Sequence, residues 1–394
     1  MDDLSKEFLI KAYLSDQELS WLNKFSAEKK EAILELINFE FTSKKESRDT
    51  DLRFFDFTTN KTISEILKRN LSKNLKNNIK LDIRSKKYVS NIKNSLEKTG
   101  YSVGDYKITE EKLKELSDAV LSCKYASKDG EVILSGNQII NKQKKLSKNA
   151  GIGSDTFWLI NQNSLLNKKP ISDLLNDPII MQSVSEYLGC APILVQSNAW
   201  LSLPTMATST NLNVNAQQFH QDKEFAKFIK VFVYLNDVDI TNGAHSYIIE
   251  SHIDELHKKG IPLSSRVSDK DIIRYYNKEN IKLAQGKAGT VIFADTSCVH
   301  KGGLVSKGYR IMLQLEFTSS LYMSPVDSFD EVRDNFRDKL EKNLYFDTSR
   351  LLNNVDVMKY NQNVSNTLNQ SQNKFSVKAK LKKYFYKILL PFLK

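Results

Sequence analysis

Residues 216–245 read AQQFHQDKEFAKFIKVFVYLNDVDITNGAH. Within this stretch FIKVFVYL (228–235) places Phe228, Lys230, Phe232 and Tyr234 in alternation with Ile229, Val231, Val233 and Leu235. That period of two predicts a strand whose successive side chains leave opposite faces. RIMLQLEF (310–317) carries the same signal, and GTVIFAD (289–295) is a third short apolar run. Residues 191–320 are therefore expected to be rich in β structure, and the whole chain to be of the α+β class.

Working outward, Asp177 as a cap with Pro178 at the first helical position predicts a helix through IIMQSVSEYLG that stops at Gly189. Thr109, followed by Glu110 and Glu111, predicts another helix start, after an extended TGYSVGDYKI. Residues 1–95 read as a helical extension, with apolar residues at helical spacing such as Trp21, Leu22, Phe25, Ile33, Leu34 and Leu36. The expected organisation is 1–95 helical extension, 96–325 β-rich domain, 326–373 helical and linker region, and 374–394 basic amphipathic helix. The polar tract NQNVSNTLNQSQN (361–373) reads as a linker.

At 394 residues, with 40% hydrophobic and 27% charged content and only 14 Gly and 7 Pro, the chain is long and apolar enough for a sizeable core. Collagen-like and wholly disordered readings are excluded. The net charge of +11 is concentrated: residues 61–100 carry +8 and 374–394 carry +7, which leaves the rest slightly acidic. This distribution argues against a nucleic-acid enzyme with a basic groove. Three scattered cysteines, Cys123, Cys190 and Cys298, make neither a disulfide framework nor a Cys-ligated zinc site. The N-terminus lacks the basic-then-apolar order of a signal peptide, and no apolar run approaches the ~18 residues of a membrane span. A cytoplasmic location is expected. The Lys- and aromatic-rich 374–394 reads either as an interfacial helix at the inner face of the membrane or as a helix docked on protein.

The five histidines are His220, His245, His252, His257 and His300. His220 and Asp222 are two apart, so in an extended segment both leave the same face and can ligate one ion. His300 follows an apolar strand and precedes Gly302 and Gly303, expected to leave room beside the ion. Two imidazoles and one carboxylate form the facial triad of non-haem Fe(II) oxygenases. Arg310 heads RIMLQLEF, which a Gly308-containing turn is expected to pair with the strand bearing His300, and its guanidinium suits a dicarboxylate held end-on. His245, His252 and His257 are expected in loop or capping roles, and Cys298, like Trp158 and Trp200, in packing.

These segments, AQQFHQD, KVFVYLNDVDITNGAH, IIESH, VIFADTSCVHKGG and GYRIMLQLEF, resemble the phytanoyl-CoA dioxygenase-like (PhyH-like) family of Fe(II)- and 2-oxoglutarate-dependent oxygenases over roughly residues 96–320. The resemblance implies a double-stranded β-helix, or jelly roll, binding Fe(II) through His220, Asp222 and His300 and the distal carboxylate of 2-oxoglutarate through Arg310. It implies O2 as the other co-substrate, succinate and CO2 as products, an aromatic wall at Phe232 and a polar neighbour of the iron at Gln217. Related halogenases have a small residue in place of the carboxylate, so Asp222 favours hydroxylation. Where the family usually shows Pro-Gly-Ser-His, this chain has Ile249, Glu250, Ser251 and His252. The expected substrate is a small molecule, a lipid-linked intermediate or a glycan precursor. The competing readings are a non-catalytic metal-binding jelly roll and a cupin-type isomerase using the metal as a Lewis acid.

Overall fold

The computed structural model describes residues 7, 10, 12–42, 57–71, 81–126, 132–148, 157–160, 165–204, 218–222, 227–252 and 266–319. The helices are α1 (Asp16–Leu22), α2 (Ala27–Thr42), α3 (Phe57–Leu71), α4 (Ile83–Thr99), α5 (Glu110–Ser122), α6 (Gly136–Lys148), α7 (Lys169–Leu175), α8 (Pro178–Leu188) and α9 (Asp269–Ile272). The strands are β1 (Tyr101–Lys107), β2 (Lys124–Ala126), β3 (Ile133–Ser135), β4 (Phe157–Ile160), β5 (Ile193–Ser202), β6 (Phe228–Tyr234), β7 (His245–Ile248), β8 (Ile281–Ala284), β9 (Thr290–Ala294), β10 (His300–Lys301) and β11 (Arg310–Thr318).

Contacts divide the chain into two compact units, and the described residues up to Leu67 belong to the first and those from Lys68 to Ser319 to the second. In the first, Ser15 and Glu18 form a reciprocal capping box at the start of α1, and Leu22, Ile33, Ile37 and Ile63 are buried. The second carries the histidines of interest. Its helix α4 starts at the cap Asp82, ends on a left-handed Gly100, and packs on β1, β9 and α8. Both helix starts read from the sequence occur: the Thr109 side chain accepts from the Lys112 amide, and Asp177 accepts from the amides of Ile179 and Ile180. Gly189 ends α8 in the left-handed region.

Two antiparallel sheets form the β part, one ordered β1-β9-β6-β11-β5-β4-β2-β3 and one ordered β10-β7-β8. Single bridges extend the smaller one, His220 opposite His300 and Phe219 opposite Val267. Strands β6, β9 and β11 are buried along their whole length, so both faces of the period-two pattern lie inside. On one face Tyr101, Phe232, Tyr234, Ile292 and Met312 of the larger sheet meet Ala284 of the smaller, together with Val238, Ala244 and Cys298. Burying each large side chain there stabilises the fold by about 2 kcal/mol.

One expected pairing does not occur. β11 lies between β5 and β6, whereas β10 pairs with β7 in the other sheet. The nine-residue β11 gains two long neighbours by crossing to the larger sheet, which the two-residue β10 cannot offer. Gly308, at φ 75°, provides the turn before that crossing.

Candidate metal centre

His220 and His300 face each other across a tight antiparallel bridge. The His220 amide donates to the His300 carbonyl at 2.9 Å and the His300 amide returns to the His220 carbonyl at 2.8 Å. Directly opposed residues project to the same side, and the two rings lie 4.4 Å apart. The Asp222 amide donates to the Thr296 carbonyl at 2.9 Å, which brings the carboxylate back over the rings. His220 Nε2 is 3.6 Å from Asp222 Oδ1, and His300 Nε2 is 3.6 Å from Asp222 Oδ2. One ligand atom from each residue lies within 4.8 Å of the others.

The tautomers follow from hydrogen bonding. Each Nδ1 sits 2.9 Å from a carbonyl two residues earlier, Gln218 O for His220 and Cys298 O for His300. A carbonyl only accepts, so each Nδ1 carries the proton and each Nε2 offers its lone pair to the centre. Burial, reinforced by His300, pushes His220 down to about 3, which keeps the ring neutral. Burial alone would raise the Asp222 carboxyl, but Lys230, His300 and His220 outweigh it and hold the group below the usual carboxylate range. Two neutral imidazoles and one carboxylate turned toward one point are the donor set of a 2-His-1-carboxylate iron site.

Lys230 completes the Asp222 end. Its Nζ donates to Asp222 Oδ2 at 2.8 Å and lies 3.5 Å from Glu316 Oε2, the residue directly opposite on β11. Both are buried, Lys230 on β6 and Glu316 on β11. Their charges within FIKVFVYL and RIMLQLEF were the signal available in the sequence, but only the register brings them together.

At the other end Arg310 is buried. Its Nη1 donates to the Gly243 carbonyl and its Nη2 to Ser202 Oγ at 3.3 Å. Its Nε is buried and makes no hydrogen bond among the described residues. Burial draws the guanidinium below its ordinary value. Gly243, at φ 94°, permits this approach, because a Cβ there would stand 2.9 Å from the Gly303 carbonyl and 3.4 Å from Arg310 Nη1. A Cβ on Gly303 would overlap the Ala244 carbonyl. The space at Gly303, expected beside the ion, is thus filled by the backbone of Gly243 and Ala244.

His245 departs from the loop or capping role read for it. It lies in β7, buried, with its ring edge-on to Phe232 at 5.2 Å and to His300 at 5.8 Å. It is not part of the ligand cluster. Nothing in its sequence context distinguishes it from a surface histidine, and its placement comes from the pairing of β7 with β10. Phe232 packs against it and, at 6.4 Å, against Trp200. Cys298 is buried in the core cluster. The turn Ile249–His252 keeps a tight bend without Pro or Gly: Glu250 occupies the left-handed region at φ 58°, and Ser251 Oγ bridges the Ile248 carbonyl and the Val299 amide. Gln217, His257 and the segment 374–394 lie outside the described residues.

Residues 159–312 match the phytanoyl-CoA dioxygenase (PhyH) family. That stretch, less than half of the chain, is what this protein shares with the family. His220, Asp222, His300 and Arg310 all fall within the matched range, and PhyH domains are oxygenases that use Fe(II) and 2-oxoglutarate. No curated protein matches the chain in sequence. Among solved structures, AviO1 from Streptomyces viridochromogenes is 13% identical, covering 63% of this chain and 100% of its own, with a TM-score of 0.38. HygX from Streptomyces hygroscopicus, solved with nickel and 2-oxoglutarate, is 11% identical over 65% and 95%, at 0.39. The 2-oxoglutarate-dependent epimerase SnoN of nogalamycin biosynthesis is 13% identical over 59% and 83%, at 0.36. The likeness to these oxygenases rests on the PhyH match. Among the described residues no helix is long and apolar enough to cross a membrane.

Proposed function

We propose that this PhyH domain hydroxylates an unactivated carbon of a small organic substrate, converting 2-oxoglutarate and O2 to succinate and CO2. The observation that carries the proposal is the convergence of His220, Asp222 and His300, whose ligand atoms all lie within 4.8 Å of one another. In this reading those three residues hold Fe(II), and Arg310 grips the distal carboxylate of 2-oxoglutarate. The bound iron supplies the activation of O2.

The protein's own residues do the rest. The Nδ1 donations to the Gln218 and Cys298 carbonyls orient the two imidazoles. Lys230 holds one oxygen of Asp222, so the carboxylate is fixed before any ion arrives. The Gly243 carbonyl and Ser202 hydroxyl orient the guanidinium, and Phe232, packed against His245, offers an apolar wall. Retention of a carboxylate at 222 favours hydroxylation over halogenation. The two antiparallel sheets, meeting over one buried cluster, suit a double-stranded β-helix.

The test is anaerobic addition of Fe(II) and 2-oxoglutarate. A visible charge-transfer band is expected in the wild type, followed by succinate on admission of O2, with both lost in His220→Ala and Asp222→Ala. A band that persists in these variants, or its absence from the wild type, overturns the proposal.

A further inference from the structure

His245 is a buried imidazole that the ligand set leaves unused. Its Nδ1 is buried and has no hydrogen-bond partner among the described residues. A buried ring nitrogen left unpaired is costly, and such a group in a native site calls for an absent partner. The surroundings narrow what that partner is. His300 and Arg310 are the charged or titratable groups that act on the ring most strongly, followed by His220 and Asp222. Phe232 closes another side. Arg310 is tied to the same short segment, because its Nη1 donates to the carbonyl of Gly243, two residues before His245. Arg310 Nε is a second buried donor without a partner. Two buried polar nitrogens, His245 Nδ1 and Arg310 Nε, are therefore without a partner among the described residues, one on a ring packed against His300 and one on the side chain tied to Gly243.

Resting on the oxygenase reading above, we propose that His245 is a binding residue for the co-substrate, donating from Nδ1 to the distal carboxylate of 2-oxoglutarate alongside Arg310. The unpaired Nδ1 of a buried ring supplies that hydrogen bond directly, on the strand that follows Gly243. The arrangement makes His245 a determinant of which 2-oxo acid binds. An acid lacking the second carboxylate gains nothing from it.

The experiment is an anaerobic titration of the Fe(II)-loaded protein with 2-oxoglutarate and, separately, with pyruvate, following the charge-transfer band in wild type, His245→Leu, His245→Asn and His245→Gln. Loss of one hydrogen bond to a charged group is expected to weaken 2-oxoglutarate binding about tenfold in His245→Leu. Pyruvate affinity and Mn(II) affinity should stay within about twofold, the spread of an unchanged contact. His245→Asn, whose amide nitrogen can stand where Nδ1 stood, should recover most of the loss, and His245→Gln should not. Unchanged 2-oxoglutarate affinity in both His245→Leu and His245→Asn overturns the proposal, as does an equal loss for pyruvate. Should His245→Leu fail to fold, the contrast between Asn and Gln decides it: equal affinities overturn it. A wild type without any band instead removes the oxygenase reading itself, and the two failures are thereby distinct.

Discussion

The smaller sheet supplies His300 and His245, and through a single bridge His220, from strands of two and four residues. The larger sheet supplies Lys230, Phe232 and Arg310 from strands of seven and nine residues that are buried throughout. The difference reflects what each end must hold. The imidazoles are fixed locally, each by a carbonyl two residues away and by one reciprocal pair of backbone hydrogen bonds, so little strand is needed. The charged side chains are fixed by register, with Lys230 opposite Glu316 and Arg310 opposite Ser202, and register is reliable only in long, buried strands.

The largest expected effect falls on the smaller sheet's cluster. Asp222→Ala and His300→Ala should abolish the Fe(II)-dependent band and succinate formation while leaving the far-UV circular dichroism unchanged; retained turnover would place the metal elsewhere. Next, Lys230→Met takes the ammonium from between the half-buried Asp222 and the buried Glu316 and should lower unfolding stability by about 3 kcal/mol in a urea titration. The double variant Lys230→Met/Glu316→Leu should recover the part of that loss that comes from stranding Glu316, while Asp222 still lacks its ammonium partner. No recovery would show that the pair is not the source.

Arg310→Lys keeps the charge and loses the planar fork, and should weaken 2-oxoglutarate binding roughly 100-fold with Mn(II) affinity preserved. Parallel losses of both would mean that the two sheets do not act separately. The smallest effect is expected at Glu250, the one described non-glycine residue with positive φ. Glu250→Gly should stabilise the protein by about 1 kcal/mol, seen as a raised melting temperature, because it relieves a left-handed backbone. Destabilisation instead would assign Glu250 a contact that compensates its strain.

Much of the site was legible before any fold was known. His-x-Asp spacing, a distant histidine after an apolar strand, and an arginine at the head of another strand identify the triad and its anchor, because alternation along a strand decides which side chains share a face. Lys230 and Glu316 were visible as charges within apolar runs, but no local rule pairs residues 86 positions apart in the chain. His245 could not be told from a loop histidine, and the partner strands of β11 were misread, since the neighbouring β10 was judged by proximity in sequence.

Local chemistry thus determined the elements and the donor types: periodicity wrote β6 and β11, caps wrote α5 and α8, and residue identity limited the ligands to histidine and aspartate. Tertiary structure alone decided which sheet each strand joined, and hence that Lys230 meets Asp222 and that His245 stands beside His300. The physical reason is that alternation specifies a face but not a neighbour; the neighbour is chosen by the burial that long strands achieve together.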